Sequence, residues 1–127
     1  MIVVDTSVWV AASRAPLSTE GTTLSQLLDA DEVTLALPVR IELLSGIAKK
    51  SRAALRRALS GVPLSVPTEE TWRLIENWIG PAADAGYRFS IPDLLIAGLA
   101  HELGGLVWSL DADFRAMEKL GLVRLYK

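Results

Sequence analysis

Each of the main apolar runs in this chain ends at a helix-start signal. Met1-Ile-Val-Val stops at Asp5-Thr6-Ser7, Val33-Thr-Leu-Ala-Leu37 stops at Pro38, and Leu106-Val-Trp-Ser-Leu110 stops at Asp111. Short apolar runs alternating with helical stretches predict an α/β domain built on a mostly parallel central sheet. No linker, repeat or low-complexity segment interrupts the pattern, so residues 1–127 read as a single domain.

Strands are expected at residues 1–5, 33–37, 63–67, 106–110 and 122–125. Thr6 or Ser7 is expected to cap a short helix carrying Val8, Trp9 and Val10. Residues 14–18 read as a loop, and Thr19 as the cap of a helix running to about Asp29. Pro38 suits a first helical turn, where its missing N–H costs nothing, and Ile41, Leu44 and Ala48 follow at spacings of three and four. Another helix is expected from about Ser51 to Leu59. Thr68 then caps a helix with Glu69 and Glu70 in its first turn and Trp72, Ile75 and Ile79 striping one face. The stretch from Gly80 to Gly86 either extends or breaks that helix. Ser90 opens a helix over 91–103, and a short one follows over 112–119.

Composition removes several classes of chemistry. There is no cysteine, which excludes disulfides, thiolate nucleophiles and Cys-ligated zinc. No apolar stretch approaches the roughly 18 residues that span a bilayer, and Ile2-Val-Val is too short for a signal core, so a cytoplasmic protein without membrane attachment is expected. Thirteen basic against 15 acidic residues leave a net charge of −2, a poor balance for holding nucleic acid by bulk electrostatics. If several acids serve a metal cluster, the remaining surface carries a positive excess.

Four acids stand at strand ends or early in helices. Asp5 closes the first run, Glu42 follows Pro38 by one turn, Asp93 follows Ser90-Ile-Pro, and Asp111 closes the 106–110 run. Each has a structural alternative. Asp5 is a good helix cap, although Thr6 and Ser7 could do that work. Glu42 lies between Ile41 and Leu43, where a core-facing carboxylate is costly unless paired; on a solvated stripe it would pair with Lys49 or another base. Asp93 completes a Ser-x-x-Asp capping box, with the shorter acid in place of the usual Glu. Asp111 or Asp113 caps the 112–119 helix, leaving one of them spare, and Asp111 is the first choice for other work. Ligands of open α/β sheets bind beyond the carboxyl ends of the strands, so these acids are positioned to converge. Hard oxygen donors without His or Cys favour Mg²⁺ or Mn²⁺, whose chemistry suits phosphodiester hydrolysis.

The stretches Met1-Ile-Val-Val-Asp-Thr-Ser-Val-Trp9, Pro38-Val-Arg-Ile-Glu-Leu-Leu-Ser-Gly46, Ile91-Pro-Asp-Leu-Leu-Ile-Ala97 and Leu106-Val-Trp-Ser-Leu-Asp-Ala-Asp-Phe114 together resemble the PIN domain, and more narrowly the VapC-like toxins of type II toxin–antitoxin pairs. They occur in the family's order across essentially the whole chain. The resemblance implies a PIN-like three-layer α/β/α sandwich and a Mg²⁺- or Mn²⁺-dependent endoribonuclease acting on RNA. It implies an acidic quartet of Asp5, Glu42, Asp93 and Asp111, with Asp5, Asp93 and Asp111 holding metal. Ser7, Ser109 and Asp113 become supporting residues; Ser109 stands where the family often has Thr, and Trp108 and Leu110 flank it with bulk. It further implies a homodimer and a cognate antitoxin whose tail enters the acidic groove.

Other features divide between roles. Lys49, Lys50, Arg52, Arg56 and Arg57 form the densest basic cluster, either a solvated helix face, an RNA backbone contact or an antitoxin contact. Arg40 is a candidate to neutralise an acid. His101, the only histidine, is expected to be structural or exposed rather than a general base. Trp9 is expected in the core, and Trp72 and Trp78 in the core or a dimer interface. Two rival functions remain: a haloacid dehalogenase-type phosphatase, suggested by Asp111-Ala-Asp113, and a catalytically silent PIN-like module that binds RNA or protein.

Overall fold

The computed structural model describes all residues 1–127. Strand β1 (Ile2–Val4) lies inside a four-stranded sheet with β2 (Val33–Ala36), β3 (Leu64–Ser65) and β4 (Leu106–Trp108), in the order β3-β2-β1-β4. All pairings are parallel, with Val3 opposite Thr34 on one side and Val107 on the other. Helices are α1 (Thr6–Arg14), α2 (Thr19–Asp29), α3 (Leu37–Ser45), α4 (Lys49–Leu59), α5 (Glu69–Asp84), α6 (Ile91–Leu103) and α7 (Ala112–Lys119).

The continuous apolar runs are explained by burial on both faces. Val3, Leu35 and Val107 face a core completed by Ile75, Trp78, Ile96, Phe114 and Met117 of α5, α6 and α7. Ile2, Val4 and Val33 face the opposite way, onto Val8, Leu24 and Leu27 of α1 and α2. The result is the expected α/β/α layering. Thr34, polar within a strand, is accommodated because its hydroxyl meets Ser65 Oγ at 2.6 Å.

Several boundaries differ from expectation. The segment 122–125 is not a full strand; only Leu125 bridges Val107, because the chain end runs along the sheet edge for a single ladder step. Strands are shorter than the apolar runs, since Asp5, Leu37, Ser109 and Leu110 already turn toward the following helices. Helix α4 begins at Lys49 rather than Ser51, and Ala48 precedes it instead of ending α3, which Gly46 terminates. Ser18, not Thr19, caps α2, its side chain accepting from Gly21 N–H at 3.1 Å. Helix α5 runs through Pro81 to Asp84.

The α5 stripe is rotated from the predicted one. Its buried positions are Thr71, Ile75, Trp78 and Ala82, while Trp72 is 49% and Ile79 56% exposed. Thr71 is tolerated inside because its hydroxyl donates to Glu102 at 2.5 Å and accepts from Thr68 N–H at 3.0 Å. Trp9 is half-buried, touching both cores, with its indole N–H on Val4 carbonyl oxygen.

Close approach requires glycine at Gly21, where a Cβ would lie 2.3 Å from the Pro16 carbonyl oxygen. The obstacle is backbone and cannot swing away. Gly21→Ala is expected to destabilise by about 1–3 kcal/mol, read from urea unfolding midpoints.

Candidate metal-dependent active site

The chain passes from β1 to β2 and β3 on one side, then returns to place β4 on the other side of β1. The carboxyl ends of β1 and β4 therefore flank a topological switch point, the place where open α/β sheets bind ligands. Asp5 follows β1, Asp111 and Asp113 follow β4, Asp93 sits in the first turn of α6, and Glu42 lies one turn into α3.

Asp5 is 6% exposed and stands at the N-cap position of α1, yet its side chain caps nothing. Instead its Oδ2 accepts hydrogen bonds from both Ser7 and Ser109, each at 2.7 Å. Each hydroxyl also accepts a backbone N–H: Leu110 N–H reaches Ser7 at 3.1 Å and Asp111 N–H reaches Ser109 at 2.9 Å. With both hydroxyl protons on Oδ2, the other carboxylate oxygen makes no side-chain bond. Neither Thr6 nor Ser7 caps α1; Ser7 is engaged with Asp5 and with β4's exit.

Asp93, Asp111 and Asp113 offer carboxylate oxygens within 4.8 Å of one another, the tightest acidic trio in the chain. Asp5 is not among the three, and Asp113 is. Asp111 does cap α7, its Oδ1 accepting from Asp113 N–H at 3.0 Å, so capping and convergence coexist. The Ser90 hydroxyl accepts from Asp93 N–H at 3.3 Å, but no return bond runs from Asp93 to the cap, and its carboxylate is left to the cluster.

The electrostatics register this crowding. Burial raises the Asp93 carboxyl to about 6, with Asp5, Asp111 and Asp113 pushing the same way and the Ser90 hydroxyl opposing. Glu42 is also raised, first by burial and then by Asp5, against a weaker opposing effect of Thr6. The Thr6 hydroxyl is buried with no partner within bonding distance. No basic side chain relieves the acids: the ion pairs within 4.0 Å are Arg73 with Glu69 and Glu70, and Lys127 with Glu118. Arg40 therefore does not neutralise the cluster, and Glu42 does not pair with Lys49. Clustered hard oxygen donors, with raised proton affinity at Asp93 and Glu42 and no counter-cation, suit a divalent cation.

His101 lies at the other end of α6, about 12 Å of helical rise from Asp93. It is exposed, its Nδ1 3.2 Å from Leu122 carbonyl oxygen and its ring edge-on to buried Trp78.

The PIN domain family model matches residues 2–120. The chain belongs to the PIN-domain family. This PIN domain is 33% identical over 125 residues to ribonuclease VapC11 of Mycobacterium tuberculosis and to a VapC ribonuclease of Mycobacterium bovis, covering 94% of this chain and 93% of each relative. Its fold matches the VapBC2 structure from Rickettsia felis bound to a promoter DNA fragment, with a TM-score of 0.80 and 17% identity over 99% of this chain and 98% of that one. VapBC-1 from nontypeable Haemophilus influenzae superposes with a TM-score of 0.78 and 18% identity, over 100% and 98% of the two chains. Membership in this family leaves the phosphatase reading of Asp111-Ala-Asp113 without support. No helix of this PIN domain is long and apolar enough to cross a membrane.

The hydroxyl pair is open to direct testing. Ser7→Ala or Ser109→Ala removes one of two donors to Asp5 Oδ2, and each is expected to reduce RNA cleavage by roughly 10- to 100-fold, measured as kcat/KM.

Proposed function

We propose that this PIN domain is a Mg²⁺- or Mn²⁺-dependent endoribonuclease, the toxin of a VapBC-type toxin–antitoxin pair, acting in the cytoplasm as one domain over residues 1–127. What supports the reading is the gathering of Asp93, Asp111 and Asp113 at the β1/β4 switch point, with Asp5 acting electrostatically on both Asp93 and Glu42 and no basic partner within reach. Asp93, Asp111 and Asp113, together with Asp5, would hold the ion. Bound there, a divalent cation supplies Lewis-acid stabilisation of charge developing on the phosphoryl and leaving oxygens. Glu42, on the α3 side, orients the attacking water and takes up its proton, a task suited to its raised proton affinity. Ser7 and Ser109 fix the rotamer of Asp5.

The substrate is single-stranded or looped RNA, whose backbone is free to align for in-line attack. Between Val33 and Thr68 the chain carries Arg40, Lys49, Lys50, Arg52, Arg56 and Arg57 against Glu42 alone. None of these bases is in an ion pair, and Arg52 Nε is steadied on Leu44 carbonyl oxygen at 3.3 Å. This flank of the acidic centre tracks the RNA backbone without reading its sequence.

Two protein partners fit the remaining surface. Trp72 and Ile79 of α5, Ile41 of α3 and Ile91 of α6 are exposed, and around them Pro38, Pro67 and Pro92 line shallow apolar hollows; this band is the face for a second copy. A groove of about 320 Å³ between α1, α3 and α4, floored by Trp9, Leu43, Ile47 and Leu55 and ending at Glu42, receives the antitoxin tail.

The deciding experiment is cleavage of end-labelled RNA with Mg²⁺ or Mn²⁺, with and without chelator. Metal-dependent internal cuts are expected. RNA binding without cleavage at saturating Mn²⁺ would instead indicate a catalytically silent binding module.

A further inference from the structure

On the α2 side of β4 lies a cleft of about 260 Å³ lined by Thr19, Glu20, Thr23, Trp108, Tyr126 and Lys127. Two aromatic rings form its wall: Trp108 and Tyr126 have centroids 5.3 Å apart and planes tilted by 53°. Both are half-buried, so each retains exposed surface. Glu20 is half-buried beside them and forms neither an ion pair nor a side-chain hydrogen bond. The cleft is joined to the acidic centre through the chain, since Trp108 immediately precedes Ser109, whose hydroxyl holds Asp5. Tyr126 is held at this level by its N–H on Val107 carbonyl oxygen at 2.8 Å.

An aromatic wall suits the face of a nucleobase. A carboxylate repels phosphate and accepts hydrogen bonds only, so it selects a base by its donors. Guanine alone places two N–H donors side by side on its Watson–Crick edge, N1–H and N2–H, matching the two oxygens of one carboxylate. We propose that Trp108, Tyr126 and Glu20 form a guanine-binding subsite that sets sequence preference beside the scissile phosphate. Glu20 also lies in the first turn of α2, where the helix dipole favours an acid whatever its other role. The test therefore reads base preference, which a dipole contribution would not move.

This subsite rests on the nuclease reading for its biological role but not for its detection. In the full-length chain, the Trp108 indole N–H resonance, assigned by its loss in Trp108→Phe, is followed on titration with guanosine, adenosine, cytidine and uridine 5′-monophosphates. Guanosine monophosphate is expected to shift it at concentrations roughly 10- to 100-fold lower than the others, the range for hydrogen bonds to a charged group. Glu20→Gln, equal in length but with one oxygen replaced by a donor, is expected to close that gap. Equal response to all four nucleotides, no response, or an undiminished gap in Glu20→Gln would overturn the proposal. In parallel, oligoribonucleotides carrying one guanosine at varied positions are expected to be cut beside it at least tenfold faster than guanosine-free controls. Equal rates would also overturn the subsite. Failure to cut any oligonucleotide would count against the nuclease reading, while the nucleotide titration still decides the cleft.

Discussion

Asp93→Asn is expected to do two opposite things: cut RNA at least a hundredfold more slowly, and melt at a higher temperature than the unaltered chain in chelator at pH 8. The loss follows from removing a charged member of the acidic trio. The gain follows from the raised carboxyl. Asp93 ionises at about 6 in the folded chain against an ordinary 3.8, so the folded state binds its proton more tightly than the unfolded one. Below about pH 4 both states are protonated and no penalty exists. Between pH 4 and 6 the unfolded state ionises first and stability falls. Above pH 6 the whole penalty is present. The asparagine removes it, worth about 1 kcal/mol once solvent screening of a half-exposed group is allowed for, or roughly 3–5 °C in Tm. Scanning calorimetry at pH 4 and pH 8 checks the sign: the difference should be much smaller at the lower pH. Adding Mn²⁺ should then raise the unaltered chain more than the variant, since a ligand that binds only the folded state stabilises by mass action. A variant that is less stable at pH 8 without metal would show that the burial and crowding of this charge do not dominate its contribution to stability.

Asp5→Asn is expected to lower kcat/KM by about 10³-fold with little change in fold. Its amide oxygen still accepts from Ser7 and Ser109, so the bridge between the start of α1 and the exit of β4 survives. What disappears is the negative charge that acts on both Glu42 and Asp93. Both neighbours should therefore titrate lower in the variant, which carboxyl NMR resonances would follow. Retained cleavage, or an unmoved Asp93 titration, would remove Asp5 from the reacting assembly.

The parts of this protein that were readable from its residues are those with local causes. Strand-then-helix order follows from continuous apolar runs ended by Asp5, Pro38 and Asp111, and each acid's position follows from the same punctuation. What escaped depends on partners distant in sequence. Thr71 looks like a surface residue until Glu102 supplies its acceptor, and that pairing rotates α5 so that Trp72 and Ile79 face outward. Pro81 looks like a helix breaker, but the carbonyl it leaves unpaired belongs to exposed Asn77, where water can replace the lost bond. Among the acids, the sequence could not rank Asp113 against Asp5 for the tightest cluster. The ranking is decided by where α6 carries Asp93, and by two hydroxyls that draw Asp5 toward the sheet. The Glu20 cleft was invisible for the same reason, since its walls come from α2, β4 and the chain end.

The bond between Ser109 and Asp5 joins residues 104 positions apart. A ribosome making this polypeptide releases Asp5 well before Asp93 and Asp111. Until β4 docks against β1, the growing chain lacks the frame on which any cutting centre could form.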